Sequence, residues 1–132
     1  MPVAGDLREI NVKHPELGSR NFEAKAGEDF SYQKGGYKSN DDDGNIGVNL
    51  TRIDQQNAFP WSGEFTIVRK DEDHDFLQSL TENALEGIWT FSHRSGEVLT
   101  GTGKPVGDIA TNAQAGTIAV KCAGSGRLEN IA

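Results

Sequence analysis

Cysteine is nearly absent from this chain: Cys122 stands alone among 132 residues. A single thiol excludes an intrachain disulfide and a zinc framework of paired CxxC motifs. Long apolar runs are missing too. No stretch approaches the roughly 18 apolar residues that a membrane-spanning helix needs. The opening MPVAGDLREINVK has no apolar segment of the kind a secretory leader carries. The expectation is therefore a protein made and kept in a cytoplasm, without membrane insertion. In that setting the Asn49-Leu50-Thr51 sequon is a chance match.

Positive charge is the second shortage. Lys and Arg number 13 against 20 Asp and Glu, for a formal net charge of −7. A nucleic-acid grip needs clustered cations to displace counterions, and this balance argues against one. It leaves room for a surface that DNA slides past, because like charge prevents sticking.

Catalytic patterns are the third. His14, His74 and His93 are scattered, with no HxH or HExxH spacing. No GxSxG is present, so a nucleophilic triad has no support. GTGKPVG resembles a phosphate loop only superficially, since Lys104 precedes Pro105 and no helix follows to hold the anion. Glycines inside a strand more often mark close backbone approach. NDDDGN invites a calcium reading, but placing Gly44 at position six of an EF-hand loop puts Leu50 where a bidentate Glu belongs. The acids around His74 in DEDHD suit the start of a helix. No enzyme signature, cofactor site or metal site emerges, and none is expected.

What the chain does hold is strand-forming sequence with 16 glycines among its turns. Its length fits one domain over residues 1–132, burying roughly two thirds of the unfolded surface. LREINVK (7–13) puts Ile10 and Val12 on one face. SRNFEAK and EDFSYQK alternate around Ala26-Gly27 and predict a hairpin. EFTIVRK (64–70), IWTFSH, EVLTGTGKPVGD and GTIAVKCAGSGRLEN predict further strands, the last placing Ile118, Val120 and Cys122 on one buried face. DEDHDFLQSLTENALEG is the clear helix. Phe76, Leu77, Leu80 and Ala84 recur at helical spacing, and Gly87 supplies a left-handed stop. The fold class is mainly β: a sandwich or barrel of about six to eight strands with one flanking helix over about 73–86.

Residues 34 to 63 read as a long extended loop, Gly-, Asn- and Asp-rich, with GVNLTRID as one further candidate strand inside it. Loops of that length in a compact domain tend to be functional or disordered. Phe59 and Trp61 favour a partner surface if exposed, and a Trp folded back onto the domain is an equal alternative.

The order of the helix DHDFLQSLTENAL, the Trp-bearing strand GIWTFSH, the turn and strand SGEVLTGTGKPVGDI and the closing GTIAVKCAGSGRLE resembles that of a phage tail tube protein. The likeness is carried by the C-terminal half and extends to the N-terminal half by layout. It implies a structural role without catalysis. Six subunits would form a ring, their strands lining a shared lumen, and rings would stack into a virion tail tube assembled in the host cytoplasm. The implied partners are further copies of the chain, a tape-measure protein, a sheath where the tail contracts, and DNA passing through without specific binding. The long loop would reach a neighbouring ring, with Tyr37, Phe59 and Trp61 as contact candidates. Asp41, Asp42 and Asp43 would face the lumen or solvent. The segments 1–6 and 127–132 are secondary contact candidates. Two alternatives stand beside this: the inner-tube subunit of a bacterial injection or secretion system, and a monomeric β-sandwich module whose Tyr37 and Trp61 stack on a sugar.

Overall fold

The computed structural model describes residues 4–40, 47–50 and 55–131. They form a mainly β structure with one flanking helix. The strands are β1 (Leu7–His14), β2 (Gly18–Phe22), β3 (Ser31–Gln33), β4 (Gly36–Asn40), β5 (Gln55–Phe59) and β6 (Ser62–Val68). After helix α1 (Asp73–Glu82) come β7 (Gly87–His93), β8 (Val98–Pro105), β9 (Ala110–Asn112), β10 (Thr117–Ala123) and β11 (Glu129–Asn130).

Nine strands belong to one bent sheet with the order β2-β1-β7-β8-β10-β6-β3, with β11 on β8 and β9 on β10. The bend lies where β8 meets β10, which pair only at Cys122 with Pro105 and Ala123 with Lys104. Each side of this seam forms a leaf, and the inner faces pack on each other. Phe65 of β6 sits 5.6 Å from Phe91 and 6.1 Å from Trp89 of β7, ring centre to ring centre. Period-two alternation builds this core directly. Ile118, Val120 and Cys122 are buried from β10, as expected, and Phe65 and Ile67 from β6.

Two glycines of β8 make room for one of the two buried tryptophans of the core. A Cβ at Gly101 or Gly103 would lie 3.1 Å or 2.7 Å from the ring of Trp61, which is fully buried. Its Nε1 donates to Thr102 O at 2.9 Å. The GTG motif is thus a packing slot, the close approach that strand glycines commonly mark.

Four sequence expectations are corrected. SRNFEAK and EDFSYQK do not pair: β2 pairs with β1, while β3 pairs with β6. The chain between them crosses from one leaf to the other, and the backbone of residues 23–25 hydrogen-bonds to Thr66 and Val68. Local alternation marks a strand but not its neighbour. The helix stops at Glu82 rather than near 86, because Asn83 is extended and its Oδ1 accepts from Leu85 N at 2.8 Å. Gly87 is no left-handed stop: it opens β7, opposite Gly103. Finally, the expected loop over 34–63 carries two strands, β4 and β5, paired with each other.

Arg20 fixes the start of α1. Its Nε donates to the buried carboxylate of Asp73 at 2.5 Å, and a terminal nitrogen donates to Asp71 O at 3.2 Å. Leu77 and Leu80 turn the helix onto the sheet.

Candidate functional site

The β4–β5 hairpin is the feature that the body of the fold does not need. It forms a separate two-stranded antiparallel sheet, with Gly36 opposite Phe59 and Asn40 opposite Gln55. Its base is held by the chain near residues 126–128. Leu128 N donates to Lys34 O at 2.8 Å, and Trp61 N donates to Gly126 O at 3.1 Å. Gly35 sits in this clamp with φ 82°, where a Cβ would lie 2.7 Å from Trp61 N. Only glycine meets both demands.

Of the predicted contact residues, Tyr37 is the most exposed at 68%. The Arg127 guanidinium lies 5.9 Å over its ring, and Lys38 Nζ lies 5.7 Å over the ring of half-buried Phe59. Tyr37, Phe59, Pro60 and Arg127 line one shallow hollow at the hairpin base. Trp61 does not join them. It points into the core, so it can serve neither as a contact anchor nor as a sugar platform, and it holds the hairpin base from beneath. Asp41, Asp42 and Asp43 lie outside the described residues, as does the last part of GVNLTRID. Residues 47–50 form a turn that exposes Val48 and Leu50.

The bent sheet also ends in open edges. β3 pairs on one side with β6, and β9 pairs on one side with β10. All three residues of each are exposed. Unpaired edge amides and carbonyls are a ready template for another strand. Sequence reasoning missed β9 because residues 110–112 fall between the two strands it placed, EVLTGTGKPVGD and GTIAVKCAGSGRLEN. The signal was present in the turn between β9 and β10: Asn112 Oδ1 accepts from Ala115 N at 3.0 Å, and Gly116 has φ 71°.

The titratable groups serve the framework. In buried His14, Nδ1 accepts from Glu16 N and Leu17 N, so Nε2 carries the proton that reaches Leu85 O at 3.1 Å. Tyr32 donates to Glu97 at 3.2 Å; burial raises its phenol above the ordinary value, and the neighbouring Glu97 carboxylate adds to that. Among the described residues no cluster of His, Cys, Asp or Glu is arranged to hold a metal. What the arrangement offers is main-chain pairing at strand edges and aromatic contact on the hairpin.

No protein-family model matches this chain, and no curated protein matches it in sequence.

Proposed function

We propose that this chain is the structural subunit of a phage tail tube, assembling into hexameric rings that stack around an acidic lumen for DNA. The observation that carries the reading is the β4–β5 hairpin. A two-stranded ribbon is marginal in water on its own, and this one exposes Tyr37 away from the core. Such an arm gains its cover from another copy of the chain, which is what a ring-to-ring contact supplies. The resemblance in element order supports the same role, with the two leaves forming a barrel linked on its second side by the bonds of residues 23–25 to β6.

The mechanism is electrostatic and geometric. Six copies of a subunit of net charge −7 make a strongly negative ring. Screening over about 8 Å at physiological salt leaves DNA repelled near the wall but meeting no long-range barrier. An inner-tube subunit of an injection system would use the same geometry for a different cargo. A monomeric sugar-binding module loses one of its two stacking residues, because Trp61 is buried.

The test is electron microscopy of the concentrated protein, paired with mass by light scattering. Six-fold rings or hollow tubes are the expected result. A uniform monomer at every attainable concentration would favour the binding module instead.

A further inference from the structure

We infer that one end of the gap between the two leaves binds a small organic ammonium ion, held by Glu97 beside an aromatic wall. The site goes beyond the assembly reading above and does not depend on it. A cavity of about 300 Å³ lies there, next to the turn that joins β7 to β8. It is bounded by exposed Tyr32 and Ser95 and by buried Phe91 and Leu99, so it opens to solvent and reaches down to the core. Phe30, just before β3, lies 4.9 Å from Phe91 and 5.0 Å from Tyr32, ring centre to ring centre. The three rings form one wall that draws on both leaves. Aromatic faces carry negative potential and attract a cation within about 6 Å.

The polar rim selects for positive charge, because its side-chain hydrogens are already committed. Tyr32 gives its hydroxyl hydrogen to Glu97 at 3.2 Å. His93 Nδ1 accepts from Ser95 N at 3.1 Å, so Nε2 carries the proton that reaches Gly5 O at 3.1 Å. The Ser95 hydroxyl accepts from Glu97 N and gives its own hydrogen to that Nδ1 at 2.9 Å. Acceptors remain in surplus. The Tyr32 oxygen has lone pairs to spare, and of the roughly four acceptor positions on the Glu97 carboxylate Tyr32 fills one. A ligand with several N–H donors and a positive charge matches this rim. An anion would meet a carboxylate and no free side-chain donor among the lining residues. The cation already beside Glu97 is a loose partner: Lys34 Nζ stands 3.9 Å from Oε2, beyond hydrogen-bond distance, on a side chain 49% exposed. An ammonium seated in the cavity competes with it for the same carboxylate. The net charge of −7 favours the approach of any cation.

Benzylammonium and its neutral counterpart benzyl alcohol test the site, by saturation-transfer NMR and titration calorimetry on the full chain. Both methods read binding whether or not copies assemble. Benzylammonium should bind saturably, with a Kd on the order of 1 mM for so few atoms. Benzyl alcohol should bind at least about tenfold more weakly, the scale of a charge-assisted hydrogen bond. Glu97→Gln keeps the side-chain shape and an acceptor for Tyr32, so it should melt normally while losing that preference. Lys34→Ala removes the competing cation from an exposed position and should tighten benzylammonium binding by roughly two- to fivefold. It also serves as the second variant if Glu97→Gln fails to fold. Equal binding of the alcohol would mean an apolar cavity without charge selection and would overturn the proposal. Unchanged benzylammonium affinity in folded Glu97→Gln would move the cation to another surface acid and overturn it too. So would weaker binding in Lys34→Ala, the absence of saturable binding, or a preference for a neutral sugar such as glucose. Hollow rings without ammonium binding would sink this site alone. Binding by a chain that stays monomeric would sink the tube reading alone.

Discussion

Trp61 donates its indole N–H to the carbonyl of Thr102, and its ring occupies the space that Gly101 and Gly103 leave open. This single relationship joins the hairpin base to the seam of the sheet. Trp61→Ala should cost about 3–5 kcal/mol of unfolding free energy, the usual range for removing a buried large aromatic. Urea denaturation checks it. An unchanged midpoint would mean that the residue is a surface contact after all.

Gly124 makes a sharper prediction. A Cβ there would overlap the Thr102 carbonyl oxygen, a backbone atom that cannot rotate away. Gly124→Ala should reduce soluble yield or unfold the chain. Gly107→Ala meets no steric neighbour and should be mild, costing only the strain of its φ of 71°. Expression and thermal melting of the two variants separate these outcomes.

The Arg20–Asp73 pair should behave asymmetrically. Asp73 is buried with its Oδ2 unpartnered, while Arg20 keeps 31% side-chain exposure. Removing the cation strands a buried carboxylate; removing both leaves none. Arg20→Ala should therefore destabilise by about 1–3 kcal/mol, and adding Asp73→Ala should recover part of that loss. A double variant less stable than Arg20→Ala would refute this account.

Burial pushes the Cys122 thiol up from 9.0 to about 12, against a smaller lowering by its hydrogen bond to Gly63 O. The folded state favours the protonated thiol, so its contribution is complete below pH 9. As pH rises from 9 towards 12, unfolded chains ionise first and stability falls. Denaturation midpoints across that range should drop, less so in Cys122→Ala. At pH 8 the folded protein should resist alkylation that proceeds readily in denaturant.

Under the proposed assembly, Tyr37 should separate assembly from folding. Its ring is exposed and its contact is a surface guanidinium, so Tyr37→Ala should change stability by no more than about 0.5 kcal/mol. The same change should shorten or abolish tubes in micrographs. Full-length tubes from a folded Tyr37→Ala protein would remove the residue from the stacking contact.

The legible parts of the fold were those with one buried face. Val120 and Cys122 alternate with exposed residues, and Leu77 and Leu80 mark a helix, because burial on one side leaves a period in the sequence. β4 and β5 have no core to face, so their Gly, Asn and Gln residues carry no such period. Partner choice was equally hidden: nothing in GSRNF states that it pairs with β1 rather than with SYQ. For the candidate site, Tyr37 and Phe59 were found from their chemistry. Trp61 shares that chemistry, and only the glycine slot on β8 reveals that it turns inward.

That slot also constrains how the chain can change over generations. While the indole is in place, any side chain larger than hydrogen at 101 or 103 collides with it. Should a smaller residue ever replace Trp61, a methyl group at 101 would meet only the Leu128 side chain, which can shift, whereas one at 103 would still meet the Ala123 carbonyl oxygen. Once position 101 had gained that methyl group, the indole could not return without reversing it. Gly101 is therefore tied to the tryptophan while Gly103 is held by backbone whatever stands at 61, and variation at 61 is expected to be accompanied by variation at 101 alone.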